Sequence, residues 1–325
     1  MSRTAVIIPY YSREAGTLTQ AVRSALCQEN VETPTIIVVD DESPRPAHQD
    51  LAEAGHAGHP NVHVIRRRNG GPAAARNTGL DAIPADTTWV AFLDADDVWE
   101  SQHLFRAQCA LEQGYDFFFG NAQRIGRPTH FELANFDPKR HVPLPVLDEL
   151  YAFEGDFFTR NLNYSPVWTS TCVMRKSILE CLRFREFPRI WEDLMLWLEI
   201  AARTDRIAFD GTLQAQCGAG SITETDGWRS NAELRRNLSY RQHFLSVRNH
   251  FKLTPAQSAI VDRALAKNTG TFVAALLALL RDGGHPDPQV LWEYVKVNPR
   301  VIVAVIGFFF RRLYEKGRGH VTQQA

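Results

Sequence analysis

Short apolar runs alternate with amphipathic stretches along the first half of the chain. The apolar runs are rich in β-branched and aromatic residues and end at turn-forming residues, which predicts strands. Residues 17–27 carry apolar side chains at helical spacing, and residues 72–82 open with a proline, which the first turn of a helix tolerates. The βαβαβαβ order predicts an α/β fold, a mostly parallel sheet flanked by helices. The predicted strands are residues 5–8, 35–39, 62–65 and 89–93.

The second half of the chain has a different pattern. Prolines interrupt residues 126–166 repeatedly, so we expect loops there with a short hairpin on the side of a second substrate. Helical periodicity returns at residues 193–202 and dominates from about residue 231 onward. A domain boundary near Trp228 follows, with an α/β domain over residues 1–228 and a helical region over residues 229–325.

The apolar run 301–310 is followed directly by Arg311 and Arg312. Ten residues are too few for a helix to span a bilayer. Two interpretations remain open: a helix buried against the protein, or a helix in the membrane interface with its arginines at the headgroups. At the other end, the pattern of a signal peptide is missing before Pro9, so we expect folding to begin there.

Composition describes an ordinary folded protein, since 44% of the 325 residues are hydrophobic and 22% are charged. The net charge of −1 gives no overall attraction to nucleic acid, so a nucleic-acid partner is not expected. Five scattered cysteines without a Cys-x-x-Cys pair argue against a zinc site and a disulfide framework. We therefore expect a reducing compartment, the cytoplasm, with peripheral membrane attachment under the second interpretation of the C-terminal run.

Polar clusters follow three of the predicted strands, at residues 9–11, 40–43 and 94–97. The carboxyl ends of parallel strands share one edge of a sheet, where ligands bind in such folds. Asp94 and Asp96 alternate on an extended strand end and would point the same way, which suits a divalent cation. The alternative is a polar turn that caps a helix beginning near Ser101.

Five motifs resemble those of the family 2 inverting glycosyltransferases with the GT-A fold. The resemblance covers roughly the first two-thirds of the chain, and the order and spacing of the motifs agree with it. It implies a Rossmann-like, mostly parallel sheet, with a catalytic nucleotide-sugar-binding domain in residues 1–228. The motifs are VIIPYY at residues 6–11, VVDDES at 38–43, NGGPAAARNTG at 69–79, FLDADDVW at 92–99 and WEDL at 191–194.

The resemblance implies a donor site for a nucleotide sugar, with a UDP-sugar expected. Asp41 would accept the imide N–H of uracil, and Tyr11 would stack on the base. Each has a simpler alternative, since Asp41 could belong to a solvated turn and Tyr11 could merely cover the end of the sheet. The full set of candidate donor-binding residues is Pro9, Tyr11, Asp40, Asp41, Gly71, Arg76, Asn77, Asp94, Ala95 and Asp96.

Metal and base are also implied by the resemblance. Asp96 matches the direct ligand of Mn²⁺ or Mg²⁺, with Asp94 near the ribose and the metal, and Asp97 is a weaker third candidate. Asp193 matches the general base that deprotonates the acceptor hydroxyl. Glu192 is either a second catalytic candidate or an ordinary acidic residue of a first helical turn. The expected acceptor is a polysaccharide or a glycolipid.

The chain departs from the family pattern after the base. Many relatives carry a Tyr-Arg-x-His segment before Gly-Ser-x-Thr, whereas residues 214–223 contain neither arginine nor histidine. A metal or phosphate contact is therefore expected to be missing. Trp168 could stack on a sugar or belong to the core, and residues 225–228 could close over the substrates or form an ordinary loop.

Two other functions compete with glycosyl transfer. A haloacid-dehalogenase-type phosphatase also uses Asp-x-Asp-x-Val after a strand, but usually on its first strand, whereas three strands precede Asp94 here. The altered segment at 214–220 also leaves room for a non-catalytic nucleotide-sugar-binding subunit. Metal-dependent hydrolysis of a UDP-sugar would separate these alternatives.

Overall fold

A computed structural model of the chain describes residues 3–187, 191–218 and 230–303. The chain divides into two units, Met1–Ser221 and Ile222–Ala325. The first is an α/β unit and the second is helical, as the periodicity predicts. The predicted boundary at Trp228 lies outside the described residues.

The sheet of the first unit contains ten strands among the described residues. Four of them coincide with the predicted apolar runs: β1, β2 and β4 are mostly buried, and a run that is buried on both faces of a sheet reads as continuous apolar sequence, whereas β3 is a largely exposed edge strand. The strands are β1 Arg3–Tyr10, β2 Thr35–Asp40, β3 Val62–Arg66, β4 Thr87–Phe92, β5 Val98–Trp99, β6 Phe117–Arg124, β7 Val142–Pro143, β8 Leu150–Ala152, β9 Val173–Arg175 and β10 Ile207–Cys217.

The strand order is β3-β2-β1-β4-β9-β6-β10-β8-β7, and β5 pairs with β10 off this path. The first four strands are parallel, and their register aligns Tyr10 of β1 with Asp40 of β2. β9 lies antiparallel between β4 and β6, whereas β10 runs parallel to β6. The mostly parallel sheet is therefore confirmed, with antiparallel strands inserted where the sequence pattern turns irregular.

Helices cover both faces of this sheet, and the sequence alternation of β1 explains how. Val6 and Ile8 point into a core with α1 (Thr17–Leu26) and α4 (His103–Glu112), whereas Ile7 faces a second core that includes α3 (Pro72–Asp81), α6 (Phe157–Tyr164) and α7 (Glu192–Ala201). The α-helices of the described residues are α1 Thr17–Leu26, α2 Ala47–Glu53, α3 Pro72–Asp81, α4 His103–Glu112, α5 His130–Leu133, α6 Phe157–Tyr164, α7 Glu192–Ala201, α8 Asn231–His250, α9 Pro255–Arg281 and α10 Pro288–Val297.

The proline-rich stretch holds short elements only. β7 and β8 form a small antiparallel hairpin at the edge of the sheet, and short 3₁₀ helices occur at Pro138–Arg140, Thr169–Thr171 and Lys176–Leu179. Strand β8 also pairs with β10, so the hairpin continues the main sheet.

The second unit packs α8, α9 and α10 around an apolar cluster that includes Phe272, Val290 and Tyr294. A capping box at Thr254 begins α9, which the proline at its first position also favours. None of the helices in the described part of the chain is long and apolar enough to cross a bilayer. Most of the apolar run 301–310 lies outside the described residues, so its fate stays a prediction.

Candidate active site

The two acidic residues at the end of β2 have different surroundings. The carboxylate of Asp40 accepts from the backbone N–H groups of Ser43 (2.8 Å) and Ala47 (2.9 Å), which shapes the turn into α2. Asp41 accepts from the backbone N–H groups of Gly70 (3.1 Å) and Gly71 (2.7 Å). Asp40 therefore holds its own turn, whereas Asp41 fastens the loop after β3 to the edge of the sheet.

Arg67 adds a charged donor to Asp41, with 2.5 Å between its Nη1 and Oδ1 of the carboxylate. The side chain of Asp41 is buried, and this ion pair compensates the charge that burial would otherwise penalise. On the neighbouring strand, Pro9 pairs with Val39 in the parallel register, and Tyr11 follows the last residue of β1 as a half-buried side chain. Pro9, Tyr11 and Asp41 thus lie at one edge, as predicted.

The loop after β3 leads into α3 through a glycine that no other residue replaces without strain. Gly71 has φ +89° at the N-cap position, and Pro72 occupies the first turn, where its missing N–H is harmless. The next three residues are alanines whose small side chains let the helix lie against the sheet, all of them buried. This close packing brings Arg76 into the interior.

Arg76 joins two carboxylates that are far apart in the sequence. Its Nη2 lies 2.7 Å from Oδ1 of Asp94, and its Nη1 lies 2.9 Å from Oε1 of Glu192. Burial alone would lower the pKa of Arg76, but the charges of Asp94 and Glu192 outweigh burial and raise the pKa above its ordinary value. The guanidinium therefore stays charged. Arg76 does not lie on a solvent-exposed face of α3, because only 4% of the residue is exposed.

Phe184 completes the surroundings of this guanidinium, with its ring centroid 5.2 Å from Cζ of Arg76. Asn77, the next residue of α3, fixes the same segment, since its side-chain amide donates to the carbonyl of Phe184 (2.9 Å) and accepts from its N–H (2.9 Å). Asn77 therefore holds Phe184 in place beside Arg76. The sequence pattern carried no signal for Phe184.

The loop after β4 carries the three aspartates of the FLDADDVW motif. Asp94 and Asp96 are half-buried, as is Ala95 between them, whereas Asp97 is buried. Asp97 accepts from Nε1 of Trp168 (2.9 Å), from the Ser170 hydroxyl (2.5 Å) and from the backbone N–H of Gly218 (3.0 Å). Asp97 thus ties the aspartate loop to two other segments of the first unit.

Negative charge accumulates in this loop. Burial, followed by the charge of Asp94, raises the pKa of Asp97 to about 7, although hydrogen bonds from Ser170 and Trp168 oppose the rise. Burial and then the charges of Asp97, Asp94 and Asp96 also raise the pKa of the Cys217 thiol. A cation bound at this loop would relieve that repulsion.

The described residues bring no three potential metal ligands together in a preformed site. Asp94 and Asp96, with one residue between them, offer two carboxylates, the hard oxygen ligands that Mg²⁺ and Mn²⁺ prefer. The donor set fits a cation that takes its other ligands from phosphate and water. Gly218, the residue after β10, approaches the aspartate loop too closely to carry a side chain that could add a ligand. A Cβ at Gly218 would lie 2.2 Å from the backbone oxygen of Asp96.

Glu192 and Asp193 begin α7, after Trp191 in the left-handed region at φ +73°. Glu192 is buried against Arg76, and burial followed by the charge of Asp193 raises its pKa to about 7, although Arg76 opposes the rise. Asp193 is half-buried and accepts from the Thr169 hydroxyl at 2.9 Å. Of the two carboxylates, Asp193 is thus the more accessible.

A continuous set of contacts therefore links the predicted site residues. Asp41 contacts Gly71, the helix that starts there carries Arg76, and Arg76 contacts both Asp94 and Glu192. Thr169, Ser170 and Trp168 join the aspartate loop to Asp193. Trp168 is half-buried and hydrogen-bonded, so it is neither wholly core nor wholly surface.

Three comparisons place this geometry among known proteins. The family model described as "Glycosyl transferase family 2" matches residues 5–183. The succinoglycan biosynthesis protein ExoW of Rhizobium meliloti is 33% identical over 228 residues, which cover 68% of this chain and 70% of that protein.

Two solved structures share the fold at low sequence identity. S. aureus TarS 1-349 in complex with UDP-GlcNAc has a TM-score of 0.58 at 17% identity, covering 93% of this chain and 81% of that chain. The mannosyltransferase PcManGT from Pyrobaculum calidifontis, in complex with GDP-Man and Mn²⁺, has a TM-score of 0.58 at 16% identity, covering 90% of this chain and 79% of that chain. At such identities the likeness concerns the fold alone.

Proposed function

This chain belongs to glycosyl transferase family 2, and we propose that it is a metal-dependent, inverting glycosyltransferase that moves a sugar from a UDP-sugar to a hydroxyl of a saccharide or glycolipid acceptor. The family and its GT-A fold, expected from five motifs, are confirmed. Family membership also removes the phosphatase alternative. Donor, metal and acceptor are the parts that we propose.

The observation that carries the proposal is the placement of Arg76 between Asp94 and Glu192. Asp94 belongs to the loop that would hold the donor diphosphate, whereas Glu192 precedes the residue that would activate the acceptor. One buried guanidinium thus fixes the distance between the two halves of the reaction. Such positioning contributes to catalysis because it removes the entropy of bringing two reactants together.

Asp193 is the base in this proposal. Its Oδ2 accepts from Thr169 and its Oδ1 from the backbone N–H of Leu194, so the carboxylate is oriented while remaining half-buried. A proton from the acceptor hydroxyl would pass to Asp193 as the oxygen attacks the anomeric carbon from the face opposite the nucleotide. Glu192, buried against Arg76, orients the start of α7 rather than touching the acceptor.

The donor would lie along the edge formed by β1, β2 and the loop before α3. Asp41 and Tyr11 would receive the base, with Pro9 and Asp40 shaping that end of the site and Asn77 fixing the far wall. The N–H groups at the start of α3, next to Gly71, favour phosphate oxygens. UDP is favoured because a carboxylate at Asp41 matches the imide donor of uracil.

Asp96 and Asp94 would hold the metal ion, Mn²⁺ or Mg²⁺, beside Ala95. The mannosyltransferase PcManGT, which shares this fold, binds GDP-Man and Mn²⁺ in its solved structure, and this supports the proposal of a divalent cation. When bound, the cation would neutralise charge on the departing diphosphate. The residues of this chain supply the oxygens and keep the loop in place through Asp97.

The acceptor is expected to be an extracellular-type polysaccharide or its lipid-linked precursor, because ExoW is named for succinoglycan biosynthesis. We place the reaction in the cytoplasm, at the inner membrane surface. The apolar run 301–310 with Arg311 and Arg312 supports this placement as an interfacial helix.

Calorimetry with Mn²⁺ and UDP tests the donor and metal sites. Asp96→Ala should lose metal-dependent UDP binding, Asp193→Asn should keep it but stop transfer, and the exposed Asp148→Ala should behave as the parent. Equal UDP affinity in Asp96→Ala and the parent would remove the metal site. A panel of UDP-sugars tested for hydrolysis identifies the donor, and no hydrolysis of any of them would favour the non-catalytic binding subunit.

A further inference from the structure

A cleft of about 500 Å³ lies in the first unit, apart from the residues assigned to donor and base. Its walls come from the segment after α5 and from the first turns of α6. A volume of several hundred Å³ suits a small ligand such as one or two sugar rings. Phe136 and Phe153 form apolar parts of the lining, and most of the other lining side chains are polar or charged.

Arg160 is the unusual residue of this cleft. Its Nη2 donates to the backbone carbonyl of Ala134 at 2.6 Å, and its guanidinium lies 5.4 Å from the centroid of the Phe136 ring. Its Nε is buried and has no hydrogen-bond partner. Within the described part of the chain no carboxylate pairs with it, and burial lowers its pKa.

A buried Nε without a hydrogen-bond partner also occurs at Arg76, but that guanidinium is paired with two carboxylates, and other arginines of the first unit are paired as well. In a second cleft, the carboxylate of Asp116 forms ion pairs with Arg206 (2.7 Å) and Arg175 (3.3 Å). Arg106 pairs with the buried Asp210. Arg160 is half-buried, and an arginine that has lost part of its hydration without gaining an anion carries a desolvation cost, which a carboxylate ligand would offset through two parallel hydrogen bonds.

Three acidic residues line the cleft, Asp137, Glu154 and Asp156, and among the described contacts none of them forms an ion pair with Arg160; Glu154 is exposed. Asp156 caps α6 by accepting from the backbone N–H of Thr159 at 2.9 Å. Asp137 accepts from the backbone N–H of Lys139 and lies 3.4 Å from Arg140. Both carboxylates are thus engaged by their own helix starts, and the positive charge of Arg160 remains uncompensated.

His141 provides a second donor in the same cleft. Its Nδ1 accepts from the backbone N–H of Glu154 at 2.9 Å, so in the neutral ring the proton is on Nε2. Burial and then the charge of Arg160 lower the pKa of His141, which keeps the ring neutral near pH 7. A neutral donor beside a cation suits a sugar that carries both hydroxyl and carboxylate groups.

The helices α5 and α6 connect the surroundings of the cleft to the acceptor side of the active site. His130 begins α5, its Nε2 donates to the backbone carbonyl of Ser165 (3.1 Å), and its ring packs against Trp168 at 5.3 Å between ring centroids. Trp168 in turn donates to Asp97. Ser165 is the residue that ends α6, the helix of Arg160.

We propose that this cleft binds a carboxylate-bearing sugar residue of the saccharide acceptor, with Arg160 as its anion-binding group. The proposal depends on the proposed function in one respect, that the acceptor is a saccharide. The sugar would stand some distance along the acceptor chain from the hydroxyl that reacts, so Arg160 selects the acceptor and takes no part in the chemistry.

Binding of trigalacturonate to the full chain tests the proposal, with a neutral galactose trisaccharide as the matched probe. Calorimetry should detect the acidic probe only. Arg160→Met should weaken its binding about tenfold or more, and Arg160→Lys, which keeps the charge but loses the planar fork, by a smaller factor. Arg127→Gln, an equal loss of charge at an exposed arginine, should leave the affinity unchanged.

Several results would overturn the proposal. Equal binding of the two probes would show that the carboxylate is not recognised, and parental affinity in both Arg160 variants would place the binding elsewhere. Binding of glycerol phosphate in place of trigalacturonate would assign the cleft to a phosphate-bearing acceptor. Affinity for UDP with Mn²⁺ is measured on the same samples: if it is normal while trigalacturonate fails to bind, only this proposal falls, and the reverse result contradicts the proposed function alone.

Discussion

At the scale of single residues, the site is organised by one buried cation among several carboxylates. Arg76 is 4% exposed and holds Asp94 and Glu192 at hydrogen-bond distance. Removing one partner of a buried ion pair costs more than the pair contributes, because it leaves a charge without water and without compensation. We therefore expect the stability of the first unit to depend on Arg76, and activity as well under the proposed function.

Arg76→Met should lower the free energy of unfolding by about 3–5 kcal/mol, since Asp94 and Glu192 would then repel each other near an apolar surface. The double variant Arg76→Met with Glu192→Gln should recover part of that loss. Urea unfolding followed by circular dichroism gives both values. Arg140→Met, which removes an exposed pair with Asp137, is the control and should change little.

Unchanged stability in these variants would show that the contacts of Arg76 contribute nothing to the free energy of unfolding. If Arg76→Met and the double variant unfold at the same urea concentration as the parent, the buried network does not stabilise the first unit. Loss of stability in the double variant equal to that in Arg76→Met would mean that Glu192 is not the group left uncompensated.

Glu192 also predicts a pH dependence. Its pKa is raised from 4.5 to about 7, so the carboxyl is protonated more readily in the folded than in the unfolded chain. Stability from this group is complete below about pH 4.5 and is lost as the pH rises towards 7. Glu192→Gln should remove this pH-dependent loss, so that between pH 5 and pH 8 the parent should lose on the order of 1–3 kcal/mol more stability than the variant, whatever the pH-independent cost of removing a partner of Arg76.

Unfolding of the parent and Glu192→Gln at pH 5 and pH 8 measures this difference. Asp97 shifts in the same direction but is present in both proteins, so it cancels in the comparison. Parallel stability curves for the two proteins would contradict the raised pKa of Glu192.

At the scale of elements, hydrophobic periodicity was sufficient for the regular parts of the fold. The first four parallel strands and helices α1, α3 and α7 lie within a residue or two of their predicted positions, because each buries one stripe or both faces. β5 and β9 were not predicted, since strands of two and three residues have too little pattern and depend on pairing with distant partners. Local sequence cannot specify such pairing.

Helix–sheet packing depends on Gly79 of α3, where a Cβ would lie 2.4 Å from Cγ2 of Ile7 in β1. Gly79→Ala should destabilise the protein by about 1–3 kcal/mol through overpacking. Gly270 in α9 is the matched control, because a Cβ there meets nothing within 4 Å. Gly270→Ala should stabilise by about 0.5–1 kcal/mol, as expected for alanine in a helix.

Thermal unfolding of the two variants measures whether the two substitutions change the stability in opposite directions. A neutral or stabilising effect of Gly79→Ala would show that α3 can shift away from β1, and the burial of Arg76 would then be less strictly determined than the packing indicates.

At the scale of the whole molecule, the sequence predicted which edge of the sheet carries the site, but not how its parts touch. The carboxyl ends of β1, β2 and β4 meet at one edge by topology, which brings Tyr11, Asp41 and Asp94 into one region. Arg76 and Glu192 are separated by 116 positions, and no local pattern predicts their contact. Arg160 is not predicted from the sequence for the same reason, since the sequence does not show which arginines lack a carboxylate partner in the fold.

Membrane attachment is a prediction at the scale of the whole chain. Val301 is buried in the core of the helical unit, whereas Ile302 and Val303 are 51% and 70% exposed. A truncation should therefore keep Val301, and removal of residues 304–325 is the suitable test. Exposed apolar side chains followed by two arginines favour a lipid interface over water, so the truncated protein should move from the membrane pellet to the soluble fraction.

Affinity for UDP with Mn²⁺ should be unchanged in the truncated protein, which separates lost attachment from lost folding. A full-length variant with Arg311→Glu and Arg312→Glu is the second arm: it keeps the apolar residues but repels anionic headgroups, so its membrane fraction should fall without vanishing. If the parent and the truncated protein fractionate alike, the run 301–310 packs on the protein, and the first interpretation of that segment is the correct one.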